Sequence, residues 1–422
     1  MISADDSRIM GSISSRDKMI RYLDGYVAER MEELDERKLK RPLVKSYLIE
    51  QTGDSEQRRD VTDVMNRVGV SLEMIDNSLY RILDNRNAEY MGFMEVLTPR
   101  YCVIYSLHLS QKIDSWVRNL ILNSPELDHV WLSGLTFNVL WQRVVQLNRH
   151  NRYVKIMFLH DSIYQVDGEP IGYEEEDEEE ITDSLDESDV VEIVERRASK
   201  FSLVDRISIV QEKLNKLQEI YSPLYAISQL RFPSPLGRGG HDFYDNGKIT
   251  NRSGNFRDHR SHIIYVQRIY DELMKLTESK IWYSIQKETV ATPGYFQKLV
   301  GAPVSIKFSE PLSKETFEYW IKSTFGRVKN RFRLWGNPIR LGPKKVHVYG
   351  IDKHLWKPIF MEITDYHLIA IIPKGTCGNT VHRLITNIQR YIDPAASAFV
   401  GDMKYQEMVE VSSQAVKYES ED

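Results

Sequence analysis

Cysteine occurs only twice in the 422 residues, as Cys102 and Cys377, which excludes a disulfide framework and any four-cysteine zinc site. Long apolar runs are missing as well. No window approaches 18 consecutive apolar residues, and Met1–Ile20 contains no uninterrupted apolar core of the kind a secretory leader needs. Neither membrane spanning nor secretion is therefore expected, and the expected compartment is the cytoplasm, with both thiols reduced. The glycine-rich run Ile372–Arg383 lacks the GxxxxGK[ST] spacing, so it is not a nucleotide P-loop.

What is present is a chain with 41% hydrophobic and 28% charged residues, enough to bury a sizeable core and to divide into two or three domains. The net charge of -5 conceals an asymmetry, because Glu174–Glu195 carries thirteen acids and no Lys or Arg, leaving −5 + 13 = +8 for everything else. Such a self-repelling segment reads as a disordered linker over residues 168–198. The sharper alternative is an acidic decoy lying over a basic site.

Hydrophobic periodicity predicts the elements in order. Asp17–Lys40 carries Met19, Ile20, Leu23, Tyr26 and Val27 at helical spacing. Asp60 caps a helix that Gly69 breaks, and Ser71 starts another carrying Ile75, Leu79, Ile82 and Leu83. With strands at Tyr90–Leu97 and Arg100–Leu107, residues 60–107 permit a winged helix-turn-helix, but Glu73 and Asp76 on the second helix favour a plain helical hairpin over a groove reader. His129–Leu132, Leu135–Leu147 and Tyr153–Leu159 resemble a βαβ unit, which would place Ser133, Gly134, His160 and Asp161 at a ligand edge. Leu203–Tyr221 and His262–Ile285 read as an antiparallel helix pair, and about five short strands with two helices follow Pro293.

The fold class expected is thus mixed α/β and α+β, multidomain, with a helical middle and a C-terminal α+β sandwich on a mainly antiparallel sheet. The expected division is 1–167, the linker 168–198, a helical hairpin at 199–292, a C-terminal domain at 293–403 and a polar, fraying tail at 404–422.

Three stretches carry candidate chemistry. The first, residues 231–262, shows neither helical nor strand periodicity and holds five glycines among arginines, aromatics and two paired signatures, His241-Asp242 and Asp258-His259. A loop this long is functional or disordered, and its aromatics argue for function. The four paired residues are candidate metal ligands or acid and base, while Arg252 and Arg257 suit a phosphate or carboxylate; structural ion pairs such as Arg257 with Asp242 are the bland alternative. The second, Arg327–Lys345, has seven cations and no acid. In strand geometry Arg331 and Arg333 share a face, and with Lys344 and Lys345 they address a polyanion, with Trp335 as a stacking platform or simply as core. The third, Ile372–Arg383, places Lys374 and Arg383 around a helix start suited to an anion, and Cys377 with His382 as a remote candidate nucleophile pair.

The leading expectation is a binding or adaptor module engaging nucleic acid or another phosphate-rich ligand. One alternative is a metal-dependent phosphoesterase or nuclease using the His/Asp pairs, the only reading that implies a cofactor, a divalent metal. The other is a protein-interaction scaffold subunit. No membrane partner is expected.

Overall fold

The computed structural model describes residues 9–418 apart from 37–40, 53–57, 150, 162–198, 219–221, 236, 290–294 and 327–329. The expected acidic linker lies outside the described residues. Helix α1 (Arg16–Asp35) is capped by the Ser15 hydroxyl, which accepts from the Lys18 amide, and buries the stripe anticipated from its spacing. Strand β1 (Val44–Gln51) is buried along its whole length because both of its faces are covered. Val44 and Leu48 face one core, Tyr47 and Ile49 another.

Helix α2 (Val61–Arg67) forms behind the Asp60 cap, but Ser71 does not open a second helix. Strands β2 (Val70–Asp76) and β3 (Leu79–Asp84) pair antiparallel across Asn77-Ser78, with Ser78 at φ 64°. Asp-Asn-Ser is turn chemistry, and the hairpin buries Val70, Leu79 and Ile82 without needing a continuous helical stripe. The winged helix-turn-helix is therefore not formed. Strands β4 (Glu89–Val96) and β5 (Tyr101–Ser106) follow as expected, then α3 (Ser110–Asn123), β6 (Leu127–His129), α4 (Gly134–Leu147) and β7 (Tyr153–His160).

The βαβ reading has the right elements in the wrong arrangement. β6 lies antiparallel on β1, while β7 lies antiparallel between β8 (Ser199–Arg206) and β9 (Ile227–Pro233). Ser133 caps α4, and Asp161 is held by Arg390, so no parallel ligand edge exists there. After β8 comes α5 (Ile207–Gln218), shorter than expected because its predicted first turn belongs to β8.

The stretch expected to be a loop is mostly sheet interior: β9, β10 (Gly240–Tyr244) and β11 (Lys248–Asn251) form a buried antiparallel meander. Its glycines serve backbone geometry. Gly247 turns β10 into β11 at φ +73°, and a Cβ on Gly239 would lie 2.0 Å from the Arg252 carbonyl oxygen. The expected helical hairpin at 199–292 is not a unit, since its strands complete an 11-stranded sheet in the order β2-β3-β4-β5-β1-β11-β10-β9-β7-β8, with β6 beside β1.

Helix α6 (Phe256–Ile281) then runs from one core into the other. Its N-terminus is capped by the Asn255 side chain, and the Asp24 carboxylate of α1 accepts from the Phe256 and Arg257 amides. Ile263, Val266 and Ile269 belong to the first core, Leu273 and Ile281 to the second.

The second sheet has nine strands: β12 (Trp282–Thr289), β13 (Tyr295–Val300), β14 (Val304–Lys307), β15 (Leu334–Gly342), β16 (Lys345–Asp352), β17 (Lys357–Thr364), β18 (His367–Pro373), β19 (Ser397–Val400) and β20 (Met403–Lys404). Its pairings are antiparallel except β12 with β18. Helices α7 (Lys314–Gly326), α8 (Asn379–Tyr391) and α9 (Tyr405–Gln414) complete the chain. Every residue of α8 is buried. The tail does not fray at 405, because Tyr405, Met408 and Val409 pack into the second core and α9 lies against α4 and α6. The protein is mixed α+β, with two large, mainly antiparallel sheets.

Candidate functional site

Strand alternation separates the first of the paired signatures. His241 and Asp242 are neighbours on β10, so their side chains leave opposite faces of the sheet. Asp242 sits opposite Arg231 in register, and its carboxylate accepts from Arg231 Nε at 2.6 Å and Arg252 Nε at 2.6 Å. Burial opposes its charge, but these two guanidiniums hold its carboxyl well below the usual range. It is a structural ion-pair centre. Arg257 pairs with Asp24 and Arg260 with Glu95, so these arginines neutralise the protein's own carboxylates.

The other three candidates converge. Asp258, His259 and His262 occupy the first two turns of α6 and meet His241 from β10. His241 Nε2 lies 3.4 Å from Asp258 Oδ2, and His241 Nδ1 lies 3.2 Å from His259 Nδ1. His259 Nε2 is 2.8 Å from the Ser46 hydroxyl of β1. Only one arrangement of protons satisfies the chain when all rings are neutral: Ser46 donates to His259, His259 Nδ1–H to His241 Nδ1, and His241 Nε2–H to Asp258. Ser234 and Tyr418 also donate to Asp258, the latter at 3.3 Å. His262, which sequence reasoning did not include, donates from Nδ1 to the Asp258 carbonyl oxygen at 3.0 Å. Its place one helical turn after Asp258 was the available signal.

Burial drives the His259 ring well below its ordinary pKa and His262 down to about 3, so both are neutral near pH 7. Burial works against the Asp258 carboxylate, but the His241 and Ser234 hydrogen bonds hold it below the usual range. The cluster is closed, with His241 and His259 at 0% and Asp258 and His262 at 4% exposure. A phosphoester has no way in, and the arginines that would receive it are engaged elsewhere.

The basic stretch is divided in the same manner. Arg331 and Arg333 precede β15 and do not share a strand face; Arg333 takes φ 53° and turns inward. Its guanidinium donates to the Leu127 carbonyl at 3.0 Å and to the Ile121 carbonyl at the end of α3, and pairs with Asp128. Arg383 is fully buried between Asp128 and Asp352. Neither can address a polyanion. Lys344 pairs with Asp365 and Lys345 with Glu362 at the surface, while Lys374 is exposed after β18. Cys377 is buried, and burial and then Glu50 push its thiol well above the ordinary range; His382, driven to about 3 by burial, bonds Tyr405 and not the thiol.

A feature that the cation count hid is the outer face of the second sheet. The inner face of β15–β18 carries Val346, Val348, Ile359, Met361, Ile363, Leu368, Ala370 and Ile372 into the core. The outer face presents a row in register, Asn337, Tyr349, Phe360 and Ile371. Tyr349 and Phe360 meet edge to face at 5.6 Å. Tyr349 is 58% and Trp335 50% exposed, and Ile339, Leu341 and Ile371 are exposed beside them. A groove of about 450 Å³ runs over His347, Tyr349, Phe360, Glu362, Ile369 and Ile371. Glu362, bonded by Lys345 and His347, is held down to about 2. The turn from β16 to β17 places Leu355 and Trp356 at φ 64° and 52°, with Trp356 63% exposed.

Comparison with known proteins adds ancestry. No solved structure matches the chain. A protein of Methanocaldococcus jannaschii described as "Uncharacterized protein MJECL33" is 22% identical over 317 residues, covering 71% of this chain and 74% of that one. The family model for MJECL33-like protein matches residues 8–407, which takes in both sheets, the histidine cluster and the aromatic face. The chain belongs to the MJECL33-like family.

Proposed function

We propose that the protein is a binding module for single-stranded nucleic acid, with the outer face of β15–β18 as its platform. The observation that carries this reading is the exposure of Trp335, Tyr349 and Phe360 on one open sheet face backed by a rigid core. Exposed rings are unfavourable in water, and unpaired bases stack on such rings for about 1–3 kcal/mol each, whatever their sequence. Residues 293–403 hold 16 Lys and Arg against 8 Asp and Glu, a formal +8. Arg333, Arg383 and Arg390 in that count are buried against Asp128, Asp161 and Asp245, and the smaller excess that remains makes this a basic region able to attract a polyanion. Lys345, Lys357 and Lys374 lie at the strand ends around it.

The test is fluorescence anisotropy with labelled single-stranded DNA and RNA across a salt series. Wild type is expected to bind with a steep salt dependence, and Trp335→Ala, Tyr349→Ala and Phe360→Ala are each expected to weaken binding by about 5- to 150-fold. Charge reversal is best made at Lys345 and Lys374, since Arg333 supports the fold. Absence of binding to every single strand, or affinity unchanged in the triple aromatic variant, overturns the proposal. The exposed aliphatic residues Ile339, Leu341 and Ile371 favour a second reading, a protein-binding face. Salt-insensitive self-association that is lost in Ile339→Asp would support it.

A further inference from the structure

The buried cluster on β10 and α6 contains more metal-ligand chemistry than a core needs. One ligand atom from each of His241, Asp258 and His262 lies within 4.8 Å of the other two, and among the described residues this is the group with that property. Two imidazoles and one carboxylate are the donor set of many zinc and non-haem iron sites. Ions of this kind hold such ligands at about 2.0–2.2 Å, so a contraction of the cluster by about an ångström would bring all three donors onto one ion, with the fourth position of a tetrahedral shell left to an oxygen beside the cluster.

The surroundings supply a second, independent indication. A histidine that ligates through one ring nitrogen is oriented by a hydrogen bond at the other. His241 has that partner in His259, which is in turn anchored on the Ser46 hydroxyl. Three elements distant in sequence, β1, β10 and α6, meet to form this line. Asp258 is similarly fixed by Ser234 and Tyr418, whose oxygens stand beside the cluster. The ring of Tyr418 covers His262 at 5.0 Å between centroids.

We infer that His241, Asp258 and His262 bind a divalent transition-metal ion, zinc in the first place, in a closed structural site that fastens α6 and the C-terminal segment to the first sheet. Without metal, the His241 proton lies on Nε2 and is donated to Asp258. With metal on Nε2, that proton moves to Nδ1 and is donated to His259 Nδ1, whose own proton moves to Nε2 and faces Ser46. The proton count of the line is unchanged. The site is unsuited to catalysis because no solvent-exposed ligand position reaches the surface. This inference is independent of the nucleic-acid reading, which concerns the other sheet.

The test uses the full chain stripped with chelator. Zinc is titrated by calorimetry, cobalt is followed by its visible ligand-field bands, and the ring nitrogens are followed by ¹⁵N resonance. One equivalent of zinc is expected, with intense low-coordinate cobalt bands and a rise in Tm. His241→Asn with His262→Asn is expected to abolish binding, and Ser46→Ala to weaken it by about 10- to 100-fold at unchanged stoichiometry. His347→Asn, on the second sheet, is expected to leave zinc stoichiometry and affinity unchanged. The proton shift from Nε2 to Nδ1 of His241 is read in wild type, so it does not depend on any variant folding. Substoichiometric zinc, or a His241 tautomer unchanged at saturating zinc, overturns the inference.

Discussion

Arg383 illustrates how a side chain that looks like a ligand contact becomes a structural tie. Its guanidinium has 0% exposure, bonds Asp352 at 2.6 Å and the Phe332 carbonyl at 2.9 Å, and reaches Asp128. Removing one partner of a buried pair leaves bare carboxylates, so Arg383→Met is expected to cost about 3–5 kcal/mol, read as a lowered midpoint in urea at unchanged m. A loss below about 1 kcal/mol would show that Asp128 is adequately served by Arg333 alone. Buried neutral histidines set the acid limit. His129 and His354 are pushed down to about 4 and His382 to about 3, each chiefly by burial, from 6.5. Their folded-state values lie below the unfolded value, so their contribution is complete above about pH 6.5 and is lost as the pH falls toward 4, at about 1.4 kcal/mol per unit and group. The urea midpoint is expected to be level above pH 7 and to fall steeply from pH 6.5 to 4.5, with His129→Gln and His354→Gln flattening the fall. Equal midpoints at pH 7 and pH 4.5 would contradict this.

At the scale of elements, the turn between β16 and β17 stores strain, because two bulky residues, Leu355 and Trp356, occupy the left-handed region. That conformation costs an L-residue about 1–2 kcal/mol, and glycine avoids it. Leu355→Gly is expected to raise stability by about 1 kcal/mol in thermal unfolding, whereas Trp356→Ala, which keeps the strain and removes an exposed ring, is expected to lower affinity for a single strand. A Leu355→Gly protein of lower Tm would mean that the side chain contributes more than the strain costs. The same elements explain what could be read in the chain. Helices α1, α4 and α8 and strands β16–β18 were legible because their periods are long and undisturbed. The β2–β3 hairpin was not, since Ile75, Leu79, Ile82 and Leu83 fall at helical spacing although the turn at Asn77-Ser78 divides them between two strands. The meander β9–β11 was hidden by its glycines and charges, although Asp245-Asn246-Gly247 is a recognised hairpin signal. In the histidine cluster three of the four residues chosen from sequence do converge; Asp242 fails because adjacent strand residues point apart, a fact that sequence reading shows only after the strand itself is recognised.

At the scale of the molecule, arginines join the two sheets. Arg383 and Arg390 of α8 reach Asp128, Asp161 and Asp245 of the first sheet's region, Arg333 reaches the end of α3, and Arg100 beside β5 bonds Glu50 and Glu278. Much of the folded body's positive charge is thereby spent internally, and the remaining excess falls on the C-terminal region with its aromatic face. The chain as a whole is nevertheless at -5, because residues 174–195 contribute thirteen acids. If the nucleic-acid proposal holds, thirteen acids on the same chain are expected to compete with a polyanion for the basic face. Deleting residues 174–195 takes the formal charge from −5 to −5 + 13 = +8. The deletion variant is expected to bind single-stranded DNA at least about 10-fold more tightly at low salt, with the advantage fading as screening shortens the reach of the acids. Replacing the thirteen acids by Asn and Gln at unchanged length separates charge from linker length and is expected to give the same gain. Affinity that is unchanged in both variants would show that the acidic run does not compete for the sheet face. Affinity that falls would place the acids among the groups that make the binding surface, for instance through a bridging cation.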